Sequence, residues 1–230
     1  MALVKLEYRA KPFCRKWKIA VTTRKIVLIG LSGNTREIFE AVEAEFEISA
    51  ILSDDPAHAP DFEGVPVVPL SQAHDFPDAQ FVFLIGSQTS YRQRAALIAR
   101  LAIPQDRYAR IIHPRATVSR FAQLGAGTVL HCGVTLTSNA VLGAHVMVLP
   151  HSVIHHDVRI GDHSLIGSNV TIAGAVEIGE SCYIASACSI RNGVRIGNGA
   201  LIGMGANVLN DVAPGAVMVG NPAREITRRS

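Results

Sequence analysis

The chain has 230 residues, 48% of them hydrophobic and 18% charged, with 19 glycines and a net charge of +3. That length holds one large domain or two small ones with a substantial core. The charge is too small to argue for nucleic acid, no basic run is interleaved with stacking aromatics, and no apolar run nears the roughly 18 residues of a membrane span.

Residues 1–24 form a basic leader in which Lys5, Arg9, Lys11, Arg15, Lys16, Lys18 and Arg24 face one acid, Glu7. It lacks the uninterrupted apolar stretch of a secretory signal, so it reads as a poorly ordered extension on a cytoplasmic protein. Cys14, Cys132, Cys182 and Cys188 show no C-x-x-C spacing and are expected to be reduced.

Residues 25–110 alternate strand and helix. KIVLIG, Lys25 to Gly30, is an apolar run ending at glycine, as a buried parallel strand does. A helix follows from Thr35, with Ile38, Ala41, Val42 and Glu45 at helical spacing, Asn34 as its cap and Glu37 three residues on. EISAILSD, VPVV and AQFVFLIGS (Ala79–Ser87) read as three further strands, and a second helix fits Tyr91 to Leu101. This alternation argues for a small, Rossmann-like parallel α/β sheet. GLSGNTRE, after the first strand, is a Gly-x-x-Gly turn feeding a helix N-terminus, suited to an anionic or polyhydroxyl ligand or simply to a tight turn. Ser32 and Thr35 stand where a full dinucleotide fingerprint has glycine. Asp54 and Asp55 close the second strand roughly where a hydroxyl-binding carboxylate belongs.

Residues 111–230 follow another rule. Aliphatic residues occupy every sixth position from Ile112 to Val208 without a miss, and small or β-branched residues such as Ala140, Ser152, Val170, Cys182 and Ala200 follow four places later. Gly125, Gly143, Gly161, Gly179 and Gly197 add a longer beat of 18. A period of six fits no α-helix; it predicts a solenoid of triangular section, three hexads to a coil, with the aliphatic residues inside. Cys182 and Cys188 take the small inward positions and behave as small apolar residues. The pattern resembles the hexapeptide-repeat, left-handed parallel β-helix, and the left hand is implied by that resemblance alone.

In this register His155, His156 and Asp157 occupy a corner and point outward. A neutral imidazole can take a proton from an attacking amine or hydroxyl near neutral pH, and an adjacent carboxylate favours its charged form. A competing metal reading rests on His151 and His156, spaced as in the carbonic anhydrases built on the same β-helix. Two coils earlier, where a third ligand belongs, stand Arg115 and Arg120, so no metal is expected.

The order of a small α/β domain, a hexapeptide prism and the tail VMVGNPAREI resembles the sugar acyltransferases of the PglD/NeuD type, over about Lys25 to Ile226. HHDVRIG matches that family's motif, which implies His156 as catalytic base and Asp157 as its partner. The resemblance further implies acetyl-CoA in a groove between the prisms of a homotrimer, touching Gly174, Ser186, Met204 and Gly205. It implies a nucleotide-linked (UDP or GDP) amino-dideoxy sugar held by Ser32, Gly33, Asn34, Asp54, Asp55 and Gly86. One departure is Leu165, where relatives often carry a second histidine near the thioester; Asn34 likewise replaces a common histidine. The expected activity is N-acetylation of the sugar amine. O-acetylation of a sialic acid, a metal-dependent hydratase and a non-catalytic sugar-binding protein are the alternatives.

Overall fold

The computed structural model describes residues 24–55, 57 and 59–226, so the basic leader, apart from Arg24, and Cys14 lie outside the described residues. The α/β part runs β1 (Lys25–Ile29), α1 (Gly33–Glu43), β2 (Glu47–Leu52), β3 (Asp61–Phe62), β4 (Val65–Val68), β5 (Gln80–Phe83), a 3-10 turn over Tyr91–Gln93, and α2 (Arg94–Arg100). The sheet order is β3-β4-β2-β1-β5, parallel throughout except for the short β3–β4 hairpin, which sequence reading missed. β1 is buried along Ile26 to Ile29, as its unbroken apolar run demands.

The cap of α1 is Ser32 rather than Asn34. Ser32 is extended (φ −129°, ψ −176°), and its N–H donates to Thr35 Oγ1 at 3.3 Å, while that hydroxyl donates to the Gly30 carbonyl at 2.6 Å. Asn34 is used elsewhere: its amide donates to the Leu84 and Gly86 carbonyls at 3.2 and 2.9 Å, tying the turn after β1 to the end of β5.

From Ile111 to Val208, two-residue strands recur every six residues and stack into three parallel sheets, as in a left-handed hexapeptide-repeat β-helix. The pairing offset is 18 residues throughout: Leu136, Ile154, Ile172, Ile190 and Val208 lie in one column. These aliphatic residues are buried, each contributing roughly 1.5–3 kcal/mol. The small inward positions are buried too, and their polar atoms find carbonyls: Ser152 Oγ donates to Gly167 O at 2.7 Å and Cys182 Sγ to Gly197 O at 3.2 Å.

Each coil turns its corner through one residue with left-handed backbone. Asn139, His145, His151, Asp157, His163 and Asn169 hold this place with φ of 55° to 63°, and Gly127, Gly133, Gly193, Gly199 and Gly205 hold it elsewhere. Glycine, asparagine, aspartate and histidine tolerate that region best, which accounts for much of the histidine in this half.

The three faces differ in what they present. One carries Ile111, Val129, Met147, Leu165 and Leu201 outward and is covered by the α/β domain, which packs Ile26, Leu28 and Ile38 into the same core. A second presents Thr117, Thr135, Val153, Thr171, Ser189 and Asn207; it is plain and almost uncharged. The third presents Arg159, Glu177 and Arg195, with Arg195 Nε 3.4 Å from Glu177 Oε2.

Arg94 fastens the junction. Its side chain is fully buried and donates to the carbonyls of Ile85, His163 (3.2 Å) and His145 (2.7 Å), with its guanidinium 5.2 Å from the Phe83 ring. Burial lowers its pKa to about 9. Two of those acceptors are carbonyls of left-handed corner residues, which elsewhere on the prism face water. Nearby, burial pushes His145 down to about 3 and, at the next corner, His131 down to about 4.

Candidate active site

His156 lies at the corner between the plain and charged faces, and its side chain is 58% exposed. Its Nδ1 is 2.8 Å from Asp157 Oδ2. Asp157 also accepts from Asn139 Nδ2 at 3.0 Å through its other oxygen. These hydrogen bonds, that from His156 first and that from Asn139 second, hold the Asp157 carboxyl below the usual carboxylate range. An ionised carboxylate only accepts, so Nδ1 carries the hydrogen and Nε2 keeps the lone pair.

One coil on, Gly174 lies against that ring: a Cβ there would come within 2.6 Å of His156 Nε2 and Cε1. Among the described residues the Gly174 N–H has no acceptor. Gly174→Ala should therefore leave the melting temperature nearly unchanged, because the imidazole can swing away. Turnover should fall by up to roughly 10²-fold through that displacement. Unaltered kinetics would show that the ring's position is irrelevant.

His156, Asp157 and Gly174 thus come together. Ser186, Met204 and Gly205 do not join them within the chain: they line the corner between the domain-bearing and plain faces. There Met204 is 77% exposed and Gly205, at φ 70°, has open space where a side chain would stand, a ledge suited to an extended, partly apolar ligand. Ser186 Oγ accepts from Ser168 N at 3.1 Å.

The predicted sugar residues divide as well. Ser32, Gly33 and Asn34 meet Gly86 at the carboxyl ends of β1 and β5. Here strand order reverses about β1, the place where open α/β sheets bind ligands. A cavity of about 200 Å³ opens there, with Asn34, Gly86 and Ser87 on one side and Met147, Leu165 and Tyr183 of the prism on the other. Gly86 is glycine for space, since a Cβ would come within 2.9 Å of Arg94 Nη1 and Leu165 Cδ1. Asp54 and Asp55 sit on the same sheet edge but across β2, where Asp54 Oδ1 accepts from Leu70 N at 2.8 Å. Leu165 lines the junction cavity and is far around the prism from the His156 corner of its own chain.

His163 points into the junction, as its register foretold, stacked on His145 with ring centroids 5.4 Å apart. Among the described residues no group of three or more His, Cys, Asp or Glu side chains is disposed to hold a metal ion. Nor is any helix there long and apolar enough to cross a membrane.

Two family models match: bacterial transferase hexapeptide (six repeats) over residues 139–174, and hexapeptide repeat of succinyl-transferase over residues 176–209. No match was found among curated proteins. Among solved structures the chain is similar to PerB from Caulobacter crescentus, in complex with CoA and GDP-perosamine, at 26% identity and TM-score 0.80, covering 88% of this chain and 97% of that one. Matches to variants of that GDP-perosamine N-acetyltransferase include ones in which a single histidine is replaced by alanine or asparagine. The acetyltransferase domain of PglB from Neisseria gonorrhoeae, in complex with acetyl coenzyme A, matches at 25% identity and TM-score 0.79, covering 89% of this chain and all of that one. WeeI from Acinetobacter baumannii shares the fold at 22% identity and TM-score 0.58. With an 18-residue coil register, a domain-bearing face and full-length likeness to acetyltransferases that bind CoA, the chain belongs to the hexapeptide-repeat sugar acyltransferases of the PglD/NeuD type.

Proposed function

We propose that the protein is an acetyl-CoA-dependent N-acetyltransferase acting on the amino group of a nucleotide-linked (UDP or GDP) 4-amino-dideoxy sugar, with His156 as general base. The observation that carries this reading is the Asp157–His156 contact at 2.8 Å, which leaves Nε2 of an exposed imidazole free above Gly174. The GDP-perosamine and CoA bound to PerB support the substrate classes.

His156 Nε2 takes a proton from the sugar amine as its nitrogen attacks the thioester carbonyl. The new C–N bond replaces the C–S bond, CoA leaves as the thiol, and no acyl-enzyme forms. The unspent N–H of Gly174 is the donor for the developing oxyanion. Asp157 keeps the imidazole turned with Nε2 outward. Cys182 and Cys188 face the core and take no part, and their free thiols suit a cytoplasmic location. The apolar wall of the junction cavity, Met147, Leu165 and Tyr183, fits the methyl edge of a deoxy sugar better than a hydroxyl.

The reading requires a homotrimer. Within one chain, the sugar-binding turn and His156 lie on opposite sides of the prism, since the α/β domain covers the face opposite the His156 corner. Both corners of interest, that of His156 and that of Met204, flank the plain face. Turning plain faces toward a threefold axis brings the His156 corner of one copy to the Met204 corner and junction cavity of the next.

The test offers acetyl-CoA with UDP-, GDP- and dTDP-linked 4-amino sugars and with sialic acids, scored by released thiol. Release with an amino sugar carries the proposal. Release with a sialic acid alone moves the chemistry to a hydroxyl acceptor, and no release with any of them removes the reading.

A further inference from the structure

Asn139 has no part in the chemistry described so far, yet it touches it. It stands 18 residues before Asp157, in the same corner column one coil earlier, and both residues have φ of 60°. The Asp157 N–H donates to Ser138 O at 3.0 Å, so the two corners are joined through the backbone before any side chain is considered. Asn139 Nδ2 then donates to Asp157 Oδ1 at 3.0 Å while Oδ2 faces His156 Nδ1 at 2.8 Å.

A carboxylate held through one oxygen turns easily, because the last torsion of aspartate is broad and two-fold. Held through both, it can turn only by giving up one hydrogen bond. The fold does not require an amide at position 139. Glycine serves the same left-handed turn at Gly127 and Gly133, and histidine at His145 and His151. Asparagine is the one residue type that both accepts this backbone readily and presents a short donor toward the next coil.

We propose that Asn139 is a positioning residue for the transfer reaction: it fixes the Asp157 carboxylate, which in turn holds the His156 ring with Nδ1 protonated and Nε2 over Gly174. The inference rests on the reading of His156 as the base. It adds a third member, from a different coil, to the His156–Asp157 pair.

Asn139→Gly suits the left-handed backbone and leaves the fold intact. It should lower kcat roughly tenfold, the lower end of what loss of an outer partner that orients a functional histidine costs in well-studied sites, with KM for both substrates unchanged. In an Asp157→Asn background the same substitution should cost nothing more, because the two act through one path. The ¹⁵N spectrum of His156 should show the Nδ1–H tautomer in the parent and a mixture of tautomers in Asn139→Gly. Additive losses in the two backgrounds, or an unaltered tautomer, would overturn the proposal. His156→Ala, measured alongside, separates the two ideas. Near-normal turnover there removes the base itself, whereas an inactive His156→Ala beside a fully active Asn139→Gly removes only the role of Asn139.

Discussion

Replacing His156 by alanine should lower turnover at saturating acetyl-CoA and amino sugar by roughly 10²–10⁴-fold, the range that general-base catalysis supplies. The loss should fall on kcat, because the ring is placed to move a proton rather than to bind either substrate. Its exposure in the single chain also means that alanine removes little packing, so the melting temperature should stay near that of the parent. Asp157→Asn keeps a polar partner at Nδ1 and should cost less. An amide can also offer its N–H there, which would favour the wrong tautomer, so the loss should be measurable. Turnover of His156→Ala within a few-fold of the parent would mean that the amine is deprotonated by another group.

The largest effect on stability is expected at Arg94. Arg94→Met approximates the volume of the stem but strips the donors from the carbonyls of Ile85, His145 and His163. A buried acceptor left without a partner costs about 1–3 kcal/mol. Against this stands relief from burying a cation, whose cost shows in the lowered pKa of about 9. Three orphaned carbonyls outweigh that relief, and the expected net loss is about 3 kcal/mol, read from the midpoint of urea unfolding. Arg94→Lys should recover part of it, since an ammonium can reach some of the acceptors but not span all three. An unchanged midpoint for Arg94→Met would show that water enters the junction and satisfies the carbonyls.

The column from Ile112 to Val208 made the prism legible before any coordinates, because a six-residue period has one compact solution and each inward residue repeats the same instruction. The His156–Asp157 contact was legible for a related reason: the two are adjacent, and the register sends both outward at a corner. Asn139 was not, since its partner lies a full coil away and its role depends on a left-handed backbone that only the stacked corners reveal. The cap of α1 was misplaced onto Asn34 because local rules do not know that the amide is claimed by carbonyls 50 and 52 residues further on. Arg94 read as an ordinary polar residue of a short helix. Nothing in its neighbours along the chain announces that a second domain will close over it. Asp54 was read as a ligand group, but its Oδ1 is spent on the start of the following 3-10 segment, a demand invisible without the turn itself.

The constant offset of 18 between paired strands has a consequence for how such a chain can vary. Losing or gaining a single residue inside the stack would rotate every later side chain out of step, exposing the aliphatic column and burying the charged one. Whole coils, by contrast, can be added or removed without disturbing any contact except at the cut. Lineages of this protein should therefore differ in prism height by multiples of eighteen residues, with irregular insertions confined to the corners, where a bulge leaves the stacking intact.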